Sequence, residues 1–290
     1  MNIANPAVFS AKNKKISIYR ERSSLEHIRF KGFYYHHTID KKPSASQFTR
    51  HCHNMYEIIY IKRGDGTFFV EGTKYAIYPG CLLVFRPREF HYINVSEKTP
   101  YERLVVHFDE NTVFENSALL LDIFNNRELG VKNIYPDIQQ SVVQTFERIS
   151  SCIALNEPER SIMAKLVLNE LLVVLHNEFS SGVQGDIGGQ LITKIVNYIN
   201  ENISQPFRLE ELAERFFISK YHLGHMFKKY TGLPVMEYII RKRVVMAQQL
   251  IAEGCQTSTA ALMSGFNDYS AFYRAYTKYI GAKPSQEASK

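Results

Sequence analysis

The sequence predicts an α+β chain of several domains: an N-terminal β-barrel with a helical segment behind it, then an all-α C-terminal unit in which a long helix joins two helix-turn-helix motifs. Three observations carry this. Short runs rich in Ile, Val, Tyr and Phe, punctuated by turn pairs, fill residues 16–114. From about residue 137 apolar residues recur at helical spacing instead. Between Leu209 and Pro284 the chain repeats itself: Leu223, Phe227, Lys229, Tyr230 and Gly232 return as Phe272, Tyr276, Lys278, Tyr279 and Gly281, each 49 residues later.

The β half has runs at residues 57–61, 67–70 and 82–85, separated by Asp65-Gly66, Glu71-Gly72 and Pro79-Gly80, pairs that suit hairpin turns. Regular short strands with turn signals indicate a small sandwich or barrel. Aromatics on and beside these strands, with Arg, Glu and His among them, suit a small-molecule pocket at a barrel mouth. Its candidate lining is Tyr35, His51, His53, Tyr56, Glu57, Arg86 and His91.

Next come two amphipathic stretches. One is marked by Ile138, Val142, Phe146, Ile149 and Ile153, the other by Ile162, Leu166, Leu168, Leu171, Leu172 and Leu175, with a break at Asn156-Glu157-Pro158. They either cover the barrel or build a subunit interface; the interface is the favoured reading. Four Gly between 182 and 189 mark a linker. The expected division is 1–130 for the sensor unit with an N-terminal arm (about 1–30), 131–180 for the helical dimerisation segment, 181–189 for the linker and 190–290 for the double helix-turn-helix unit.

In the C-terminal unit Ala213 and Ala261 each sit in a short helix before a tight turn. Ser219 caps the helix after the first turn, and Asp268 or Asn267 the helix after the second. Pro234 and Gly254 bound a connecting helix over 235–252, about 27 Å long at 1.5 Å per residue. A rod of that length can hold two recognition helices near the roughly 34 Å spacing of successive major-groove faces, so the partner implied is double-stranded DNA. The charge agrees: of the net +6, residues 190–290 carry +5, the footprint expected of phosphate binding. With Leu223, Phe227, Phe272 and Tyr276 facing inward, Lys220, Tyr221, Gly224, His225, Lys228 and Lys229 point outward from the first helix, and Tyr269, Ser270, Tyr273, Arg274 and Lys278 from the second. Arg274 is the best single base reader, because Arg can take guanine bidentately. Lys228, Lys229 and Lys278 suit phosphates. Arg241, Lys242 and Arg243 on the connector read as a solvated face at least as well as a contact.

Hydrophobic content of 45% with 22% charged residues excludes a disordered chain. The four Cys are scattered, which favours buried thiols over a disulfide framework. The N-terminal sequence shows no basic leader before an apolar core, and the apolar runs are too short to span a bilayer. A cytoplasmic protein without a membrane partner is expected.

The segments LEELAERFFISKYHLGHMFKKYTGLPVMEYIIRKRVVMAQQLI and GFNDYSAFYRAYTKYIGAKP resemble the DNA-binding domain of AraC/XylS-family transcription regulators. That resemblance implies base contacts by Tyr221, Gly224, His225, Tyr269, Ser270, Tyr273 and Arg274, a homodimer, RNA polymerase as a partner, activation of transcription, and a small-molecule effector such as a sugar. Gly224 stands where the family usually places a long polar side chain, and Thr257 and Ala260 where it places bulky aliphatics. The run His51-x-His53-x3-Glu57-x6-Gly64, with Gly80, Pro87 and His91, resembles the two motifs of the cupin barrel. In cupin enzymes those residues hold one divalent metal, so His51, His53, Glu57 and His91 are the metal candidates. Bonding within the barrel is the favoured role for them here, so no cofactor is expected. Three classes follow: an effector-responsive regulator, a metal-dependent cupin enzyme or metal sensor joined to a DNA-binding unit, and a constitutive DNA-binding protein.

Overall fold

The computed structural model describes residues 24–44, 48, 50–115, 117–136, 138–178 and 190–287. Most of the expected arm and the linker at 181–189 lie outside the described residues.

Among the described residues nine strands form: β1 Ser24–Phe30, β2 Phe33–Asp40, β3 Tyr56–Arg63, β4 Gly66–Val70, β5 Thr73–Ile77, β6 Leu82–Phe85, β7 His91–Val95, β8 Tyr101–Phe108 and β9 Ile134–Tyr135. They make two antiparallel sheets rather than one closed cylinder: a six-stranded sheet in the order β1-β2-β8-β3-β6-β9 and a three-stranded sheet in the order β5-β4-β7. The large sheet is buried on both faces. Strand alternation sends Tyr56 and Ile58 of β3, with Leu104, Val106 and Phe108 of β8, to one face, while Ile59, Ile61 and Val105 point at the small sheet. The β4–β5 hairpin turns on Glu71 and Gly72, both with positive φ (48° and 95°), as a two-residue primed turn requires.

Helices α1 Asp122–Asn125, α2 Gln140–Ser151 and α3 Glu159–Glu178 follow. Val142, Phe146 and Ile149 of α2 and Leu168, Leu171 and Leu172 of α3 close over the outer face of the large sheet in one core. The opposite side of α3 leaves Ile162, Met163, Leu166 and Val173 exposed. The two helices thus cover the sheet and still present an apolar stripe.

The C-terminal unit holds α4 Gln190–Glu201, α5 Leu209–Arg215, α6 Lys220–Thr231, α7 Val235–Ala252, α8 Thr257–Met263, α9 Tyr269–Ile280 and α10 Pro284–Glu287. The repeat is visible in the backbone. Ser219 and Asp268 cap α6 and α9 by accepting from the backbone N–H of His222 and Ala271 (3.2 and 2.7 Å), and both helices end on left-handed glycines, Gly232 and Gly281. The turns differ. From Ala213 to the Ser219 cap is one residue shorter than from Ala261 to Asp268, and the left-handed position is Phe217 (φ 56°) in the first turn but Gly265 (φ 88°) in the second. α8 buries Ala260 and Ala261 while Leu262 and Met263 stay exposed. Among the described residues no helix is long and apolar enough to cross a membrane.

Candidate DNA interface and sensor site

The DNA-reading candidates lie on the outer faces of α6 and α9. Leu223, Phe227, Phe272 and Tyr276 anchor the inner faces at zero exposure. Spacing then turns Tyr221, His225, Lys228 and Lys229 outward on α6, and Tyr269, Ser270, Tyr273, Arg274 and Lys278 outward on α9. Gly224 is half-buried, and nothing lies within 4 Å of where a Cβ would be, so a flat patch opens beside Tyr221 and His225. Lys220 is engaged by Glu210 at 2.6 Å. The Tyr269 hydroxyl lies 3.2 Å from Thr257 Oγ1, which ties the start of α9 to α8.

Inside the N-terminal unit, residues from both sheets converge. Glu57 (β3) stands directly across from His107 (β8) in the ladder, and His91 opens β7 of the small sheet. His53, in the segment entering β3, completes the group. Glu57 Oε2 lies 3.1 Å from His53 Nε2 and 3.0 Å from His91 Nε2, and its Oε1 lies 3.1 Å from His107 Nε2. Burial alone would push the Glu57 carboxyl up, but the imidazoles of His107 and His91 outweigh it and hold it well below the usual carboxylate range. Burial pushes the His53 imidazole down. His91 goes the other way: burial opposes its charge, and Glu57 overrides that and raises it. The Phe85 ring stacks on His91 at 4.2 Å, and Tyr34 and His36 stack toward His107. Two donor triads lie within metal-binding reach, His53–Glu57–His107 and His51–His53–His91, each with its ligand atoms within 4.8 Å of one another.

The expected pocket residues therefore divide. His51, His53, Glu57 and His91 come together. Tyr35 and Tyr56 have the other strand parity and face the helical layer, where the Tyr35 hydroxyl bonds Ser150 and Tyr56 stacks on Phe108. Arg86 is half-buried at the edge, with its Nη1 3.4 Å from the Asn125 carbonyl. His107 was not among the candidates; its strand position opposite Glu57 depends on a pairing across 50 residues that no local pattern shows.

The two units are docked. Cys52, Phe90 and Tyr92 share one apolar cluster with Ile192, Ile195 and Val196 of α4, Phe227 of α6 and Tyr238 of α7. At its edge the Lys242 ammonium of α7 donates to Glu71 and to the Arg88 carbonyl, and the Tyr238 hydroxyl donates to the same carboxylate. The Phe90 N–H reaches Glu71 Oε1 at 2.7 Å, Asn54 Nδ2 donates to the Val245 carbonyl at 3.1 Å and Arg241 donates to the Arg50 carbonyl at 2.9 Å. Of the two readings of the 241–243 face, solvated or in contact with DNA, neither fits Lys242: it is 4% exposed, on a stripe with Tyr238 and Val245 at i, i+4 and i+7 that faces the N-terminal domain. Arg243 is likewise spent on carbonyls, those of Ile203 and Gln205.

Residues 33–172 match the model of an AraC-like ligand binding domain, and residues 212–289 match that of a helix-turn-helix domain. The chain belongs to the AraC family. It is a ligand-responsive transcription regulator, with a ligand-binding domain ahead of a DNA-binding one. Among its relatives is the HTH-type transcriptional activator RhaS of Yersinia pestis bv. Antiqua (strain Angola), 24% identical over 254 residues, which covers 85% of this chain and 91% of the relative. The RhaS of Yersinia pseudotuberculosis serotype O:1b (strain IP 31758) matches to the same extent. Of solved structures, ToxT from Vibrio cholerae O395 is similar at 14% identity and a TM-score of 0.38, covering 90% of this chain and 98% of that one. A Listeria innocua protein of unknown function reaches 28% identity and 0.34, covering 35% and 97%.

Proposed function

We propose that this regulator is an activator that reads two successive major grooves per subunit, and that its effector acts by changing how the N-terminal domain grips α7. The grip of Glu71 on Lys242 carries the reading. α7 is the rod that spaces α6 from α9, so whatever moves its anchor moves both recognition helices. The anchor is one residue from the sensor cluster: Arg88, whose carbonyl takes Lys242, donates its N–H to the His53 carbonyl at 2.6 Å, and Phe90, bonded to Glu71, precedes His91.

On DNA, Tyr221, His225, Tyr269, Ser270, Tyr273 and Arg274 meet base edges, Gly224 gives close approach, and Lys228, Lys229 and Lys278 hold phosphates. The activator role of the RhaS relatives supports activation, which implies RNA polymerase as a partner and the cytoplasm as the place of action. The exposed Ile162, Met163, Leu166 and Val173 of α3 support a homodimer through the 131–180 segment. A linker at 181–189 would divide the sensor unit from the DNA-binding unit at 190–290. A small polar effector fits the polar character of the cluster.

The test is selection of genomic fragments on the purified full chain, followed by footprinting. Two protected stretches per subunit, about 10 base pairs apart, are expected. A single short stretch per subunit would contradict two-groove reading. Unselective protection would contradict the regulator itself.

A further inference from the structure

We propose that the cluster inside the N-terminal domain is a divalent transition-metal site whose ligands are His53, Glu57, His91 and His107. This goes beyond the regulatory reading and does not depend on it.

The first reason is charge. Glu57 is buried, and its ion-pair partners among the described residues are three imidazoles, with no Lys or Arg. A divalent cation held among these four groups would give the buried carboxylate a full charge partner.

The second reason is which ring nitrogens carry protons. His53 Nδ1 lies 2.9 Å from the Met55 carbonyl, and His91 Nδ1 lies 2.9 Å from the Glu89 carbonyl. A carbonyl can only accept, so both rings carry their proton on Nδ1. Each ring, held from behind at Nδ1, turns its Nε2 toward the Glu57 oxygens. A metal ion bound there would take one lone pair from each Nε2 and one from the carboxylate. Backbone carbonyls that fix a ligating imidazole through its far nitrogen are the outer shell such an ion needs.

Size agrees. Bonds of roughly 2.0–2.1 Å in a tetrahedral array put neighbouring donors about 3.3 Å apart. The three Glu57–imidazole separations are 3.0–3.1 Å, close to that spacing, and the donors of His53, Glu57 and His107 all lie within 4.8 Å of one another. Three imidazoles and a carboxylate suit zinc, iron, nickel or copper better than magnesium or calcium.

His107 distinguishes this set from the two-motif set read on the sequence, which has His51 instead. The triad His51–His53–His91 contains no carboxylate, whereas His53–Glu57–His107 does. The ion therefore sits on the Glu57 side, with His51 outside its ligand shell.

The test uses the full chain, stripped with chelator and titrated with Co²⁺, read by visible absorption, elemental analysis and NMR. Wild type is expected to take up close to one ion per chain. It should also show three hyperfine-shifted exchangeable imidazole N–H signals, one for each ligating ring. H51A should keep both the ion and all three signals, while E57Q and H107Q should lose at least about tenfold in affinity. Should H107Q fail to fold, the H51A spectrum still decides: three shifted signals support the assignment and two overturn it. Absence of uptake by wild type, or loss in H51A with retention in H107Q, overturns it as well.

Discussion

The Lys242 ammonium, on the helix that joins the two helix-turn-helix motifs, is seated on the Glu71 carboxylate at the tip of the β4–β5 hairpin, and both side chains are buried. Glu71 holds this position from left-handed backbone, beside Gly72, with the Phe90 N–H and the Tyr238 hydroxyl as its other partners. The contact spans 171 residues of sequence, so it exists only while the two domains are docked.

Removing one partner should cost more than removing both. Lys242→Ala leaves a buried carboxylate without its cation, a loss of about 3–5 kcal/mol. Glu71→Gln with Lys242→Ala removes both charges and should fall well short of the sum of the single losses. Urea unfolding of the four chains measures this; strict additivity would rule out the pair as a coupled unit.

Arg274 and Lys228 should fail differently on DNA. Arg274→Ala is expected to lose about 1–3 kcal/mol at the selected site and to relax preference at one position. Lys228→Ala should weaken all sequences alike and lower the salt slope by about one. Equal losses on selected and random DNA for Arg274→Ala would reject base reading by that residue.

Phe217 offers a stability gain. It is 95% exposed and sits at φ 56°, a conformation that costs a side chain about 1–2 kcal/mol and that the second motif gives to Gly265. Phe217→Gly should raise stability by about 0.5–1 kcal/mol, because the extra freedom of glycine in the unfolded chain offsets part of the relief. Thermal unfolding checks it, and a lowered midpoint would contradict the strain.

Acid sensitivity should trace to Glu89. Burial would raise its carboxyl, but the Arg127 guanidinium, donating at 2.8 and 2.6 Å, outweighs that and holds it down at about 2, against an ordinary 4.5. A depressed carboxylate contributes its stability in full above the ordinary value and loses it as pH falls from there toward the folded value. Glu89→Gln should therefore flatten the acid limb of stability between about 4.5 and 2, measured by denaturant titration at stepped pH.

Local signals carried much of the architecture. Ser219, Asp268, Pro234 and the repeated glycines mark helix ends through capping and backbone rules that act over a few residues, and α7 spans the expected 235–252. The inward set Leu223, Phe227, Phe272 and Tyr276 follows from spacing alone. What stayed hidden depends on pairing between distant segments. His107 meets Glu57 through the β3–β8 register, Tyr35 and Tyr56 take the helix-covered face by strand parity, and Lys242 is buried because a turn from the other domain brings Glu71 to it. A lysine between two arginines reads as solvated until its stripe with Tyr238 and Val245 is matched to a partner surface. The split into two sheets also follows from long-range ladders rather than from any single strand.

Cys52 gives the most direct measurement of the central claim. Its thiol is buried in the cluster that joins the two domains, and burial pushes it up to about 11, so it should react with an alkylating reagent only when the domains part. The rate of Cys52 alkylation, followed by mass spectrometry on the full chain, should change with saturating selected DNA by at least about fivefold, the low end of ordinary coupling between sites. It should also rise in Lys242→Ala without DNA. An unchanged rate on DNA would mean that domain docking and DNA reading are independent, and the proposed route from sensor to DNA through α7 would fail.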